Sequence, residues 1–388
     1  MDDAVKVVIA PDSFKGTLTA KDAARAMMQG VRKANKTVDT ILAPMADGGE
    51  GTIPTWSDKA GGRMVTLTVV DPLSHARQAS YLFLQNSQAV IELAAASGIS
   101  FVPNLERNPE NALRATTYGT GELILHALEN GASSIVLALG GSATTDGGFG
   151  LLRALGAIYY DAFGKTLDGR DGTQLERLDK IDTHGVHPRF FDVEFVLACD
   201  VSNPLCGENG AAEIFGPQKG LSGDSIVKRD KELKHFAMLL EEAFANKKDI
   251  AQIPSSGAAG GTALPILAGA HAKVRSGASI IGEVIELEKL ISSADMVITG
   301  EGRVDKGTLS GKVPLYVAEL AAKYEKPCAV VAGTLGSGHE ALFDHGVTHM
   351  IAASPKQATP AELEQNASLW LQMAAYHVFL DMLKDKQS

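Results

Sequence analysis

Four loops in which glycine and acidic residues gather most constrain what this chain can fold into. They are Ala10-Pro11-Asp12-Ser13-Phe14-Lys15-Gly16, Met45-Ala46-Asp47-Gly48-Gly49-Glu50-Gly51-Thr52, Gly140-Gly141-Ser142-Ala143-Thr144-Thr145-Asp146-Gly147-Gly148 and Gly300-Glu301-Gly302-Arg303-Val304-Asp305. Each follows, directly or nearly, a short aliphatic run that reads as a buried strand. Loops of this make-up at strand ends set backbone amides, carboxylates and a lysine along the carboxyl edge of a sheet, where α/β enzymes hold phosphate and metal.

The order of elements extends that reading. After the Val5 to Ala10 run, Thr19-x-x-Asp22 resembles a capping box for a helix with Ala23, Met27 and Val31 on one face. Ile41 to Ala43 then leads into the second acidic loop, and a further helix is expected near Gly51-Thr52-Ile53-Pro54, since proline is tolerated in a first turn. Met296 to Thr299, Cys328 to Ala332 and Met350 to Ala353 read as short strands separated by helical stretches such as Val313 to Lys323. A chain of 388 residues is long for one core. The pattern predicts an α/β fold of two α/β domains: a doubly wound, Rossmann-like parallel sheet built from both termini, over 1–75 and 285–388, and an inserted α/β domain with a mixed sheet over 76–284. Within the insert, Tyr81 to Leu84 and Ala89 to Leu93 flank a polar tetrapeptide and suggest a hairpin, and Ser222 to Ile253 reads as one long amphipathic helix before Gly257-Ala258-Ala259-Gly260-Gly261. The apolar stripe of the closing helix from Pro360 is core rather than a cofactor contact.

Composition excludes several functions. The 46 acidic against 36 basic residues give a formal net charge of −10 and leave no basic stripe for nucleic acid. No run approaches the roughly 18 apolar residues of a membrane span, and Met1-Asp2-Asp3 opens without a secretory leader, so a cytoplasmic protein is expected. Cys199, Cys206 and Cys328 match neither a disulfide framework nor a zinc site and read as packed thiols in a reducing compartment.

The loops differ in how far they point to chemistry. In the first, Lys15 and the N-terminus of the next helix suit phosphate oxygens, with Asp12 and Ser13 beside them, although a βα turn with a solvated lysine has the same composition. In the second, Asp47 and Glu50 are separated by glycines that build poor helix or strand and suit magnesium or hydroxyl contacts. The third, with Gly140, Gly141, Ser142, Thr144 and Asp146, offers free amides, hydroxyls and a carboxylate, an anion cradle by composition. Phe195 to Cys199 delivers Asp200, a candidate base for a hydroxyl, in the company of Asn203 and Lys219; a turn cap is the alternative. In the fourth, Glu301 and Asp305 suit magnesium and Arg303 suits bidentate carboxylate recognition, against a salt-bridged loop. Two familiar nucleotide motifs fail. The G-x-G-x-x-G fingerprint would need glycine at Asp305, and Gly307-Thr308-Leu309-Ser310-Gly311-Lys312-Val313 is one residue short of a P-loop and has valine after Lys312.

Taken in order, these blocks resemble the glycerate kinase type 1 family. The resemblance is carried by Ile9 to Gly16, Pro44 to Thr52, Glu92-Leu93-Ala94, Gly140 to Gly148, Asp200-Val201-Ser202-Asn203-Pro204-Leu205, Gly216-Pro217-Gln218-Lys219-Gly220 and Thr299-Gly300-Glu301-Gly302, across nearly the whole chain. It implies ATP- and Mg2+-dependent phosphorylation of D-glycerate in a cleft between two α/β domains, without a P-loop. Two departures stand out: Lys306-Gly307-Thr308 where the family often reads Ser-Gln-Thr, and Thr262-Ala263-Leu264-Pro265 where Leu-Gly-Ala is more usual.

Phosphoryl transfer needs in-line placement, charge neutralisation and a group to take the hydroxyl proton. On the resemblance, Asp200 orients or deprotonates the glycerate hydroxyl, Lys15 neutralises the transferring phosphate, and Asp47, Glu50, Glu301 or Asp305 helps hold magnesium. Arg303 and the Ser142 loop bind the substrate carboxylate, with Asp12, Ser13, Gly140, Gly141, Thr144, Asp146, Asn203, Lys219 and Lys312 as further substrate or phosphate contacts. The same loops would also suit a nucleotide- or organic-acid-binding module without catalysis. A dehydrogenase is disfavoured by the failed dinucleotide fingerprint.

Overall fold

The computed structural model describes residues 5–49, 51–246, 248–355 and 357–387. Eleven strands build its two main sheets: β1 (Lys6–Ile9), β2 (Asp39–Leu42), β3 (Arg63–Val70), β4 (Ala76–Phe83), β5 (Gln88–Glu92), β6 (Ser134–Ala138), β7 (Glu194–Ala198), β8 (His271–Arg275), β9 (Met296–Thr299), β10 (Cys328–Ala332) and β11 (Val347–Ala352). Two compact units hold them, one of residues 1–47, 54–59 and 276–388 and the other of residues 48–53 and 60–275.

The first unit has a five-stranded sheet in the order β11-β10-β9-β1-β2, and every pairing is parallel. A parallel sheet is covered on both faces, so its strands read as continuous apolar runs rather than alternating ones. Accordingly Val7, Val8, Ile9, Met296 to Thr299 and Cys328 to Ala332 are all buried. Val7, Ile9, Met296, Ile298, Ala329 and Val331 pack against Ala23, Met27 and Val31 of the helix Ala20–Ala34 and against Leu371, Ala374, Ala375 and Phe379 of the helix Pro360–Gln387. The helix Val313–Lys323 packs on β9 and β10 as well. Thr19 caps the first helix by accepting from the Asp22 amide at 3.1 Å, as its spacing predicts.

The second unit has a mixed six-stranded sheet, β8-β7-β6-β5-β4-β3. Pairings from β5 to β8 are parallel, and β4 is antiparallel to both β5 and β3. The expected hairpin is present, with Leu82 opposite Val90 and Phe83 opposite Ala89. Two details differ from the sequence expectations. Residues 63–70 fall in the segment assigned to the terminal domain, yet β3 pairs with β4 along its whole length, from Arg63 opposite Phe83 to Val70 opposite Ala76, which binds it to the second unit's sheet. The helix read over 222–253 is Asp224–Ala243, because Ala245 turns to a φ of 50° and the amide of Asn246 returns to the Glu241 carbonyl. The unusual Thr262-Ala263-Leu264-Pro265 stretch still starts a helix, Leu264–Gly269, with proline in its first turn.

Gly30 sits where the two long helices of the first unit meet. A Cβ there would lie 2.1 Å from the Gln372 carbonyl oxygen and 2.9 Å from the Tyr376 nitrogen, both backbone atoms. In a helix, alanine gains roughly 0.5–1 kcal/mol over glycine. Overpacking of this kind costs roughly 1–3 kcal/mol, so the clash wins. Gly30→Ala is therefore expected to lower the urea midpoint, and an unchanged midpoint would show that the helices do not meet backbone to backbone.

Candidate active site

In each unit the parallel register delivers the charged loops to one edge. In the first, β1 is level with β9 at Ile9 and Ile298 and with β2 at Ile9 and Leu42, so residues 10–16, 43–47 and 300–305 leave the sheet together. Backbone bonds then join them: the Asp12 amide donates to the Gly300 carbonyl at 2.8 Å and the Met45 amide to the Pro11 carbonyl at 2.9 Å. Asp12 is buried, and its Oδ1 accepts from the Ser13 amide. Burial first, and the Asp47 charge second, hold the Asp12 carboxyl well above the usual carboxylate range. Lys15 reaches Asp47 Oδ2 at 3.4 Å with its side chain largely in solvent, and Asp47 chiefly raises its pKa. Such an exposed pair adds little stability and leaves the ammonium available to an anion.

Glu301 is also buried at this edge, and desolvation raises its pKa against the opposing pull of Lys312. Thr308, which sequence reasoning did not single out, links two of the expected ligands. Its fully buried hydroxyl donates to Glu301 Oε1 and accepts from the Asp305 amide. The Asp305 carboxylate is committed locally: Oδ1 accepts from the Gly307 amide, capping the short helix Lys306–Ser310, and Oδ2 accepts from Arg303 Nε at 2.9 Å. Arg303 thus lies on Asp305, while Lys312 Nζ stands 3.7 Å from Glu301 Oε2. Glu50 lies outside the described residues. Among the described residues no group of three or more His, Cys, Asp or Glu side chains is disposed to hold a metal ion.

In the second unit, Glu92, Ala138 and Ala198 are level across β5, β6 and β7, so the glycine-rich loop and Asp200 leave from a shared edge. The loop is held from several sides. The Gly140 amide donates to Gly48 at 3.2 Å, Ile99 donates to Gly141 at 2.8 Å, and Ala143 donates to Ser97 at 2.9 Å. At Gly140 a Cβ would sit 2.5 Å from Gly49 Cα, a close approach that only glycine permits. Lys219 is buried 3% exposed, and its Nζ donates to Ser142 Oγ at 2.6 Å and to the Thr144 carbonyl at 2.8 Å. Asp200 follows β7 by two residues and is half-buried, as is Asn203, whose side-chain amide donates to the Asn209 carbonyl. Cys199 beside it has its thiol pushed up to about 11, first by burial, so it is a packed thiol rather than a nucleophile.

Asp146 was expected among the ligands, and the structure gives it another role. It has no exposed surface, and its carboxylate accepts from the Thr117 amide and hydroxyl, both at 2.8 Å, from the Gly150 amide at 3.1 Å and from the Gly148 amide at 3.3 Å. It anchors the loop from below. Arg229, fully buried, donates to the Gly172 and Leu113 carbonyls and pairs with Glu232 at 3.4 Å. The signal for it was present: Arg229, Leu233, Phe236 and Leu240 share helical spacing, so a basic residue stands on an apolar stripe. Two cavities of about 460 and 360 Å3 lie at strand starts, beside Glu194 and His271 in one unit and beside Asp295 and Pro327 in the other, and neither includes a residue of these loops.

The chain resembles known proteins over nearly its full length. A family model described as the glycerate kinase family matches residues 7–383. A protein of Halalkalibacterium halodurans named glycerate kinase is 42% identical over 373 residues, covering 96% of this chain and 97% of its own. The glycerate 2-kinase of Escherichia coli K12 is 42% identical over 344 residues, 88% of this chain and 89% of its own. A crystal structure of a putative glycerate kinase 2 from Salmonella typhimurium LT2 superposes with a TM-score of 0.81 at 39% identity, over 99% of this chain and 100% of that one.

Burial lowers the Lys219 pKa from the ordinary lysine value of 10.5 to about 7, opposed by the charge of Asp146. Between those values the unfolded chain holds a proton that the folded chain has released, so folding stability rises with pH through this window. Relative to Lys219→Met, which lacks the proton, the wild-type chain is expected to gain stability from pH 7 to pH 9, by at most about 1.4 kcal/mol per unit. Urea unfolding at pH 6, 7, 8 and 9 measures this, and parallel curves would mean that the buried amine keeps its proton.

Proposed function

As the chain belongs to the glycerate kinase family, we propose that it transfers the γ-phosphoryl group of ATP to a hydroxyl of D-glycerate with the help of Mg2+, giving phosphoglycerate and ADP. The observation that carries this is the family match across residues 7–383. The E. coli relative's name, glycerate 2-kinase, is the reason to take the 2-hydroxyl as the acceptor. ATP chemistry of this kind belongs in the cytoplasm.

Asp200 accepts or orients the hydroxyl proton of glycerate. Lys15, exposed and raised in pKa by Asp47, stays charged and offsets the negative charge on the phosphoryl oxygens. The Ser142 loop receives the glycerate carboxylate on its amides and hydroxyl. Carboxylate oxygens are the donors that Mg2+ prefers, and it needs only one or two of them when phosphates supply the rest. Asp12 and Asp47 fit, since the Asp47 charge adds to burial in disfavouring ionisation of Asp12 and a cation would relieve that repulsion. Asp305 already accepts from its cap and from Arg303, so it is a weaker candidate for the metal than Asp12 or Asp47. Bound Mg2+ would neutralise charge on the nucleotide phosphates.

Purified protein with ATP, Mg2+ and D-glycerate is expected to form ADP and a phosphoglycerate whose phosphorus NMR coupling identifies the 2-position. Asp200→Asn should lower kcat by roughly a hundredfold or more. Lys15→Ala should lower it by at least tenfold. Near-wild-type turnover in either variant removes that residue from the chemistry, and binding of ATP and D-glycerate without ADP favours the non-catalytic binding module.

A further inference from the structure

The contact between Lys219 and Ser142 fixes more than the position of the loop. An ammonium has only protons to give, whereas a hydroxyl has one proton and two lone pairs. Where Lys219 is protonated, below about pH 7, Ser142 Oγ at 2.6 Å from Nζ is therefore the acceptor, and its own proton is left to be donated elsewhere. No acceptor for that proton is found among the described residues. The second Lys219 bond, to the Thr144 carbonyl, can run in one direction only, because a carbonyl cannot donate. The Ser142 backbone is meanwhile pinned by the antiparallel bridge to Gly98, with Ile99 bonded to Gly141 and Ala143 bonded to Ser97. Both the place and the polarity of the hydroxyl are thus set before any ligand arrives.

We propose that Lys219 is a positioning residue: its ammonium holds Ser142 Oγ as an acceptor and so aims the Ser142 proton at the carboxylate of glycerate, without touching glycerate itself. The inference rests on the glycerate-binding part of the function proposed above. It changes the expected role of Lys219 from a direct contact to an indirect one. A buried ammonium bonded to two protein oxygens, with 3% of its surface exposed, has little left to offer a ligand. What it supplies is a preset donor, which acts without reorganising when the anion binds. A lysine acting on its own and a lysine acting through Ser142 differ in one measurable respect, since the second loses its effect once the Ser142 hydroxyl is gone.

The test is a double-mutant cycle on D-glycerate affinity. Calorimetric titration is carried out at pH 6.5 with Mg2+ and a non-hydrolysable ATP analogue, on wild type, Ser142→Ala, Lys219→Met and the double variant, with thermal melts to confirm folding. Each single variant is expected to weaken binding about tenfold, as loss of a charge-supported hydrogen bond does. The double variant should lie within about threefold of the weaker single, and Ser142→Thr, which keeps a hydroxyl, within about threefold of wild type. Unchanged affinity in Lys219→Met, multiplied losses near a hundredfold in the double variant, or a wild type that does not bind D-glycerate would each overturn the inference. Should Lys219→Met not fold, the Ser142 pair decides: a tenfold loss in Ser142→Ala restored by Ser142→Thr supports it, and wild-type affinity in Ser142→Ala overturns it. A wild type that binds D-glycerate but forms no ADP from ATP rejects the kinase function alone, and the cycle still decides the role of Lys219.

Discussion

Parallel pairing is the constraint on which the rest depends. Neighbouring parallel strands run in the same direction, so every chain segment that leaves them leaves on the same edge. In the first unit this gathers residues as far apart in sequence as Asp12, Asp47 and Glu301, and in the second it sets the Gly140 loop beside Asp200. The arrangement also makes the first unit a product of both chain ends. β1 lies between β2 and β9, and the Lys6 amide donates to the Asp295 carboxylate at 2.9 Å across 289 residues of sequence. Strands buried on both faces are the condition for it, since each needs helices on either side.

The two units hold charge in opposite ways. The first buries its carboxylates, Asp12 and Glu301, and leaves its lysine at Lys15 in solvent, so cation and anion can both be supplied from outside. The second buries Lys219, Arg229 and Asp146, and buried charge is costly unless its hydrogen bonds are made. Asp146 makes four and Lys219 two. What this arrangement gives in return is a loop whose shape does not wait for a ligand. Preorganised donors stabilise developing or bound negative charge without the cost of turning toward it.

Much of the fold was legible because it rests on local pattern. Aliphatic runs ending in glycine or proline marked β1, β6, β9 and β10, the run before Asp200 marked β7, the Gln85 to Gln88 tetrapeptide marked the hairpin, and Thr19 marked a helix start. Boundaries were less so. Nothing in the alternation of β3 says which sheet receives it, because that is decided by pairing with β4. The end of the long helix at Ala243 depends on a positive φ at Ala245, a residue whose identity does not announce it.

At the site, sequence alone determined which residue types stand at strand ends, and in what order, because a glycine-rich acidic loop is a poor helix or strand wherever it occurs. It could not tell a ligand from a support. Asp146 and Asp200 are both aspartates after aliphatic strands, yet one is sealed beneath its loop on four hydrogen bonds and the other is partly exposed at the sheet edge. Asp305 and Asp47 differ likewise: one caps a helix and holds Arg303, the other faces Lys15. Only the tertiary structure decided which of these carboxylates is sealed and which is open, because a side chain's direction and partners are set by segments far away in sequence.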